Sequence, residues 1–188
     1  MTKTQEQKKL EKQINKFQRS GNLQKAIETC QYALATCGTN PDLHVKLGDL
    51  YLEKHLDIYQ SKQYADEAIS EYQRALESYI DSAEIFYKLG MAFFYKNDLD
   101  KAINYFELSI QHDEKSGDAR YMKAECFMRK GYFHEATEFA KEAVKVAPWK
   151  SSRAHYLIAC LLRVSAFRDY KVTAKSYWEM FLSMATLP

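Results

Sequence analysis

Large apolar residues recur along the chain at three- and four-residue steps, and small residues follow them about a dozen positions later. Phe86, Leu89 and Phe93 fall on one helical face, and Ala102, Phe106 and Ser109 on another. The polar link Lys96-Asn97-Asp98 lies between them. The next segment repeats the design: Ala124 and Phe127, the link Lys130-Gly131, then Ala136, Ala140 and Ala143. Laid over each other, Gly90 meets Ala124, Phe93 meets Phe127, Ala102 meets Ala136 and Ser109 meets Ala143, a period of 34 residues. Such a period predicts two antiparallel helices per unit. Small residues on the second helix let the pair approach closely, and large residues of the first fill the space beside them. Gly131 is expected to end a helix at positive φ, and Pro148 to stop the next one.

The same pattern extends in both directions. Leu10, Ile14 and Phe17, a Ser20-Gly21-Asn22 turn, then Ala26, Cys30 and Ala33 predict a first unit over 7–40, preceded by a polar, frayed 1–6. A second unit, 41–82, opens at Pro41 with Asn40 as its cap. It carries Leu47-Gly48 and Tyr51, then Ala68, Tyr72 and Ala75. Tyr51 to Ala68 is eight residues longer than Phe93 to Ala102, about two helical turns, and contains no proline or glycine. Both helices are therefore expected to lengthen by a turn across 53–64. Units three and four cover 83–116 and 117–150. A degenerate unit, 151–188, ends the array with Ala154, Leu157, Ile158 and Leu161, then Ala174, Trp178 and Phe181. Its aromatic-rich last segment leaves two arrangements open: a cap folded over the final edge, or a patch that pairs two chains as a homodimer.

Composition narrows the class. Three prolines and six glycines in 188 residues are too few turns for an all-β protein, and 46% hydrophobic with 28% charged residues suits a soluble helical one. The net charge of +2 hides an uneven distribution. Residues 1–19 hold six Lys/Arg against two acids, residues 42–138 hold twelve against nineteen, and residues 145–175 hold seven against Asp169. The acidic middle opposes a continuous phosphate track, so nucleic acid is not an expected partner, and a basic or neutral protein segment is. The longest mostly apolar run, Ala154–Val164 broken by His155 and Arg163, is too short to span a bilayer, and the N-terminus lacks a signal-like apolar core, so a cytoplasmic protein without membrane attachment is expected.

Catalysis is not expected. The chain has no GxxxxGK, GxGxxG, HExxH or GxSxG motif. No CxxC pair or ligand-spaced histidines point to a metal, and no cofactor or small-molecule substrate is expected. Cys30, Cys37, Cys126 and Cys160 read as free thiols in apolar faces.

With Leu47-Gly48-x-x-Tyr51, Leu89-Gly90-x-x-Phe93, the second-helix alanines and Pro148 in place, the chain resembles the tetratricopeptide repeat (TPR) family. The resemblance implies an all-α, right-handed α-solenoid of about four and a half units. It also implies that the first helices line a concave groove for a peptide or helical segment of a partner protein. Projected onto this sequence, the main groove positions are Asp49, Leu52 and Glu53, then Tyr87, Met91, Phe94 and Tyr95, then Tyr121, Glu125 and Met128, and His155. Lesser ones are Glu11, Asn15, Gln18, Val45, Arg129, Ala159 and Leu162. The carboxylate clamp of the chaperone-binding TPR subclass is not reproduced: Glu11, Lys46 and Glu84 stand where it requires Lys, Asn and Lys, and Asn15 and Lys88 match alone. The expected role is thus a non-catalytic adaptor. Alternatives are a chaperone for secreted clients of the type III kind, suggested by Ala124-Glu125-Cys126 with Glu135-Ala136, and a nucleic-acid-associated helical repeat protein.

Overall fold

The computed structural model describes residues 3–38, 40–57, 62–78, 82–148, 152–165, 178–179 and 181–182. Among these, the ordered elements are helices: α1 (Lys3–Arg19), α2 (Leu23–Cys37), α3 (Pro41–Asp57), α4 (Lys62–Leu76), α5 (Ala83–Tyr95), α6 (Leu99–His112), α7 (Gly117–Arg129), α8 (Phe133–Val146) and α9 (Ser152–Ser165). They group into two compact units, Met1–Asn97 and Asp98–Pro188.

In the first unit α1 packs on α2, α2 on α3, α3 on α4 and α4 on α5. The turns are built locally. Gly21 takes φ 74° after α1, and Asn22 caps α2 by accepting from the Lys25 amide. Asn40 accepts from the Asp42 amide at 2.8 Å, as the Asn-Pro start of α3 requires. Ser82 caps α5 through the Ile85 amide. α1 begins at Lys3, so the stretch expected to fray is helical up to its third residue. It holds no helix breaker, and Glu6 sits in the favourable first turn.

The eight-residue excess in the second unit of sequence resolves as expected. α3 has 17 residues against 13 in α5, and α4 starts six residues before Ala68 where α6 starts three before Ala102. Positions 58–61, between the lengthened helices, lie outside the described residues.

The α3–α4 pair shows why Gly48 is needed. A Cβ at Gly48 would stand 2.5 Å from the Tyr72 ring, far inside contact distance. The absent side chain makes room for a tyrosine that is fully buried (0% exposed).

In the second unit α6 packs on α7, α7 on α8 and α8 on α9. Asp98 and Ser116 cap α6 and α7 through the Lys101 and Ala119 amides. Gly131 takes φ 83°, as the sequence predicted, and Asn97 takes φ 65° at the equivalent position of the preceding repeat. The core here joins Ala124, Ala136, Ala140, Leu157, Ile158 and Leu161. Phe127 and Phe139 stack beside it with ring centroids 5.0 Å apart. Of the terminal segment, Trp178 and Phe181 bring their rings to 6.3 and 5.4 Å from that of Tyr156 on α9. Ala174 and most of the last segment lie outside the described residues.

A thirty-residue link recurs through both units. Lys54 donates to Gln24, Lys96 to Asp66 at 2.5 Å, and Lys130 to Asp100. Each ties the end of one first helix to the start of the preceding second helix. Such exposed pairs fix register more than they add stability.

Candidate functional site

In the first unit, the projected groove positions of α1, α3 and α5 are joined by side-chain hydrogen bonds from helix to helix. Lys46 donates to Gln18 Oε1 at 2.6 Å, and Gln18 in turn donates to Glu53 at 2.6 Å. Lys88 donates to both Asp49 oxygens at 2.7 and 2.9 Å, and the Tyr72 hydroxyl donates to Asp49 at 2.8 Å. One face therefore runs across three successive first helices. Leu52, Tyr87, Met91 and Tyr95 are half-buried, and Glu53 is exposed. The Tyr95 ring lies 6.4 Å from that of His55 and edge-on to Phe94 at 5.7 Å. Phe94 itself is packed inward, 5% exposed, so of the two adjacent aromatics Tyr95 is the more accessible.

Asp49 is the hub of this face. Its carboxylate takes a buried hydroxyl from its own repeat and an ammonium from the next, which fixes α5 against α3. Burial first, and then the Asp49 charge, push the Tyr72 phenol well above its ordinary pKa. Two further carboxylates, Glu53 and Glu84, and two lysines, Lys46 and Lys88, surround the half-buried stripe. Lys88 is shared between Asp49 and, at 3.7 Å, Glu84. A cleft of about 340 Å³ opens between α1 and α3, lined by Glu11, Ile14, Asn15, Asp42, Leu43 and Lys46.

In the second unit Tyr121, Glu125 and Met128 are half-buried as well, and His155 differs from them. Tyr121 and Met128 pack partly buried against the core that includes Leu157, Ile158 and Leu161 of α9. The Tyr121 hydroxyl donates to Glu125 at 2.5 Å, one turn along the same helix. His155 is fully buried, 0% exposed. A cleft of about 260 Å³ lies where α7, α8 and α9 meet, bounded by Asp113, Lys115, Tyr121, Ala147 and Arg153. The structure thus brings Asp49, Leu52, Glu53, Tyr87, Met91 and Tyr95 onto one connected face of the first unit. It leaves Tyr121 and Glu125 as an i,i+4 pair beside a cleft of the second.

Sequence reasoning did not single out Tyr72, Lys88 or Lys123 as parts of a polar framework. Lys123 is nearly buried, donates to Glu107 at 2.9 Å and sits 4.1 Å from the Phe139 ring centroid. The signal available was a lysine in the middle of an otherwise apolar helix face. Burial also pushes the Cys30 and Cys126 thiols up to about 12. Both are free and fully buried. Among the described residues no three His, Cys, Asp or Glu side chains converge as a metal site would need, and no helix is long and apolar enough to cross a membrane.

Helix pairs repeating at a fixed period, with turns and caps at equivalent positions, define an all-α helical-repeat solenoid. The particular repeat follows from the family models: tetratricopeptide repeats match residues 83–116 and 117–148, so the chain contains two tetratricopeptide repeats there. Solved structures agree on the fold. The chain is similar to MamA at 23% identity, covering 92% of this chain and 94% of that one, with a TM-score of 0.74. It is similar to Pseudomonas aeruginosa pilF at 16% identity, covering 99% and 79%, with a TM-score of 0.77. It is also similar to YrrB, described as a TPR protein with an unusual peptide-binding site, at 18% identity, covering 91% and 82%, with a TM-score of 0.64. Comparison with curated protein sequences gave no match.

Proposed function

We propose that this protein is a non-catalytic interaction scaffold whose first-helix face in the first unit holds a segment of a partner protein. One observation carries the reading: α1, α3 and α5 are hydrogen-bonded into one face on which Leu52, Tyr87, Met91 and Tyr95 stay half-exposed. Those side chains lie outside the buried core, to which α3 and α5 contribute Leu43, Leu47, Leu50, Ile85 and Leu89. Aromatic and methionine side chains supply contact area at low conformational cost and adapt to an irregular partner. Asp49 is held in place by two donors, and Glu53 and Glu84 add exposed negative charge, so the face suits a neutral or basic segment. The described peptide-binding site of YrrB is consistent with this use of the fold.

The test is affinity capture from the native host followed by mass spectrometry, comparing wild type with Tyr87→Ala/Tyr95→Ala. Both tyrosines are half-exposed, so the variant is expected to keep its helical circular dichroism. A small set of proteins held by wild type and lost by the variant supports the reading. The same set held by both overturns it.

A further inference from the structure

We infer that the outer face of α1 is a second docking surface, separate from the face above, and that it takes an acidic helix of a partner protein. Register distinguishes α1 from the other first helices. The third, seventh and tenth positions of the repeat are Leu43, Leu47 and Leu50 in α3, Ile85, Leu89 and Ala92 in α5, and Ala119, Lys123 and Cys126 in α7. All nine are buried. They face the preceding second helix: the Cys30 thiol of α2 donates to the Leu43 carbonyl, and Lys123 reaches Glu107 on α6. In α1 the same three positions are Lys9, Gln13 and Lys16, and all are exposed.

An exposed helix face needs to be polar, but it does not need charge of a single sign. Lys8, Lys9, Lys12, Lys16 and Arg19 are all exposed and fall within an arc of about 100°, opposite the buried Leu10 and Ile14. Glu6 and Glu11 lie outside that arc. None of the five cations forms an ion pair with a described carboxylate, whereas Lys88, Lys96, Lys101, Lys123, Lys130 and Lys141 each do. Other lysines without a carboxylate partner among the described residues, such as Lys25, Lys46 and Lys145, are spread over different helices, whereas α1 carries five such cations on one face.

The kind of partner follows from what the chain does elsewhere. At the seventh position of α7, a lysine facing a stacked helix donates to a carboxylate on it, Glu107. The cations of α1 advance in steps of three and four residues over about 16 Å, a spacing matched by carboxylates at i and i+4 of a neighbouring helix. The arc contains no apolar or aromatic side chain to insert between lipids or stack on bases. Its width is that of one helix.

The probe is a fluorescent 20-residue helical peptide carrying glutamates at four-residue steps on one face. The control peptide has the same composition with its glutamates spread around the helix. Anisotropy titrations at about 0.15 M salt compare both with a short DNA duplex and with phosphatidylserine vesicles. The expected result is binding of the face-aligned peptide about tenfold tighter than the control, and its loss in Lys9→Gln/Lys12→Gln/Lys16→Gln. Lys25→Gln/Lys145→Gln, which alters exposed lysines elsewhere, should bind like wild type. Equal binding of the two peptides, or no binding, overturns the proposal. So does tighter binding of the duplex or the vesicles, which would make phosphate the ligand. The groove variant reports on a different face, so the two readings fail separately.

Discussion

The α3–α4 and α7–α8 pairs follow one template and fill it in opposite ways. In the first, a glycine on α3 faces a large residue on α4: Gly48 leaves room for Tyr72, whose hydroxyl is then satisfied by Asp49. In the second, the equivalent residues are Ala124 and Ala140, both small and both fully buried, and the volume comes from Leu157, Ile158 and the Phe127–Phe139 stack. The polar anchors differ too. Asp49 binds Lys88 on the solvent-facing side of its pair, so the anchor also organises an accessible face. Lys123 binds Glu107 with its stem buried and its ammonium over Phe139, so that anchor mainly holds helices together. A repeat can therefore conserve its backbone while exchanging which helix brings the bulk and which side brings the charge.

The largest test of this comparison is Tyr72→Ala. It removes a fully buried aromatic side chain and is expected to cost about 3–5 kcal/mol in urea unfolding. Gly48→Ala alone should cost about 1–3 kcal/mol, because its new methyl meets the Tyr72 ring. In the Tyr72→Ala background the same change should be nearly neutral. Additive losses in the double variant would show that the two positions do not share the space.

A smaller effect is expected in the second unit. Glu107→Gln should cost about 1 kcal/mol, discounted because Glu107 is half exposed, by leaving the Lys123 ammonium with a weaker partner. Lys123→Met, which replaces the charge with a similar apolar volume, should cost less than Glu107→Gln. The reverse order in thermal or urea unfolding would mean that the ammonium contributes through Phe139 rather than through Glu107.

The smallest effect is a pH slope. Tyr72 ordinarily ionises near 10.0, and the folded chain raises that value, so folding favours the protonated phenol. Its contribution is complete below the ordinary value and declines as the pH rises past it, because the unfolded chain then ionises first. The thiols of Cys30 and Cys126, raised from 9.0 to about 12, act in the same direction from a lower starting pH, one in each unit. Wild type should therefore lose stability between pH 9 and pH 12. Cys126→Ala should lose less of it over that range, and Tyr72→Phe should flatten the part above pH 10. Parallel slopes for all three proteins in urea melts would contradict the burial argument.

What the sequence determined by itself was periodic and local. The 34-residue repeat, the helix pairs, the positive-φ turn at Gly131, the Asn40 cap and the two lengthened helices all follow from residue spacing and turn chemistry acting over a few positions. The first-helix positions expected to line a groove came from the resemblance to the tetratricopeptide repeat family, not from spacing alone. How those positions divide was decided only by tertiary packing. Tyr95 stays half-exposed while its neighbour Phe94 is packed inward, and His155 is enclosed, although their places in the pattern gave no sign of it. Likewise, Asp49 finds Lys88 at a separation of 39 residues, Lys123 is matched by Glu107, and the cations of α1 are matched by none of the described acids. Periodicity determines which face a residue occupies. What meets that face depends on the helix stacked against it.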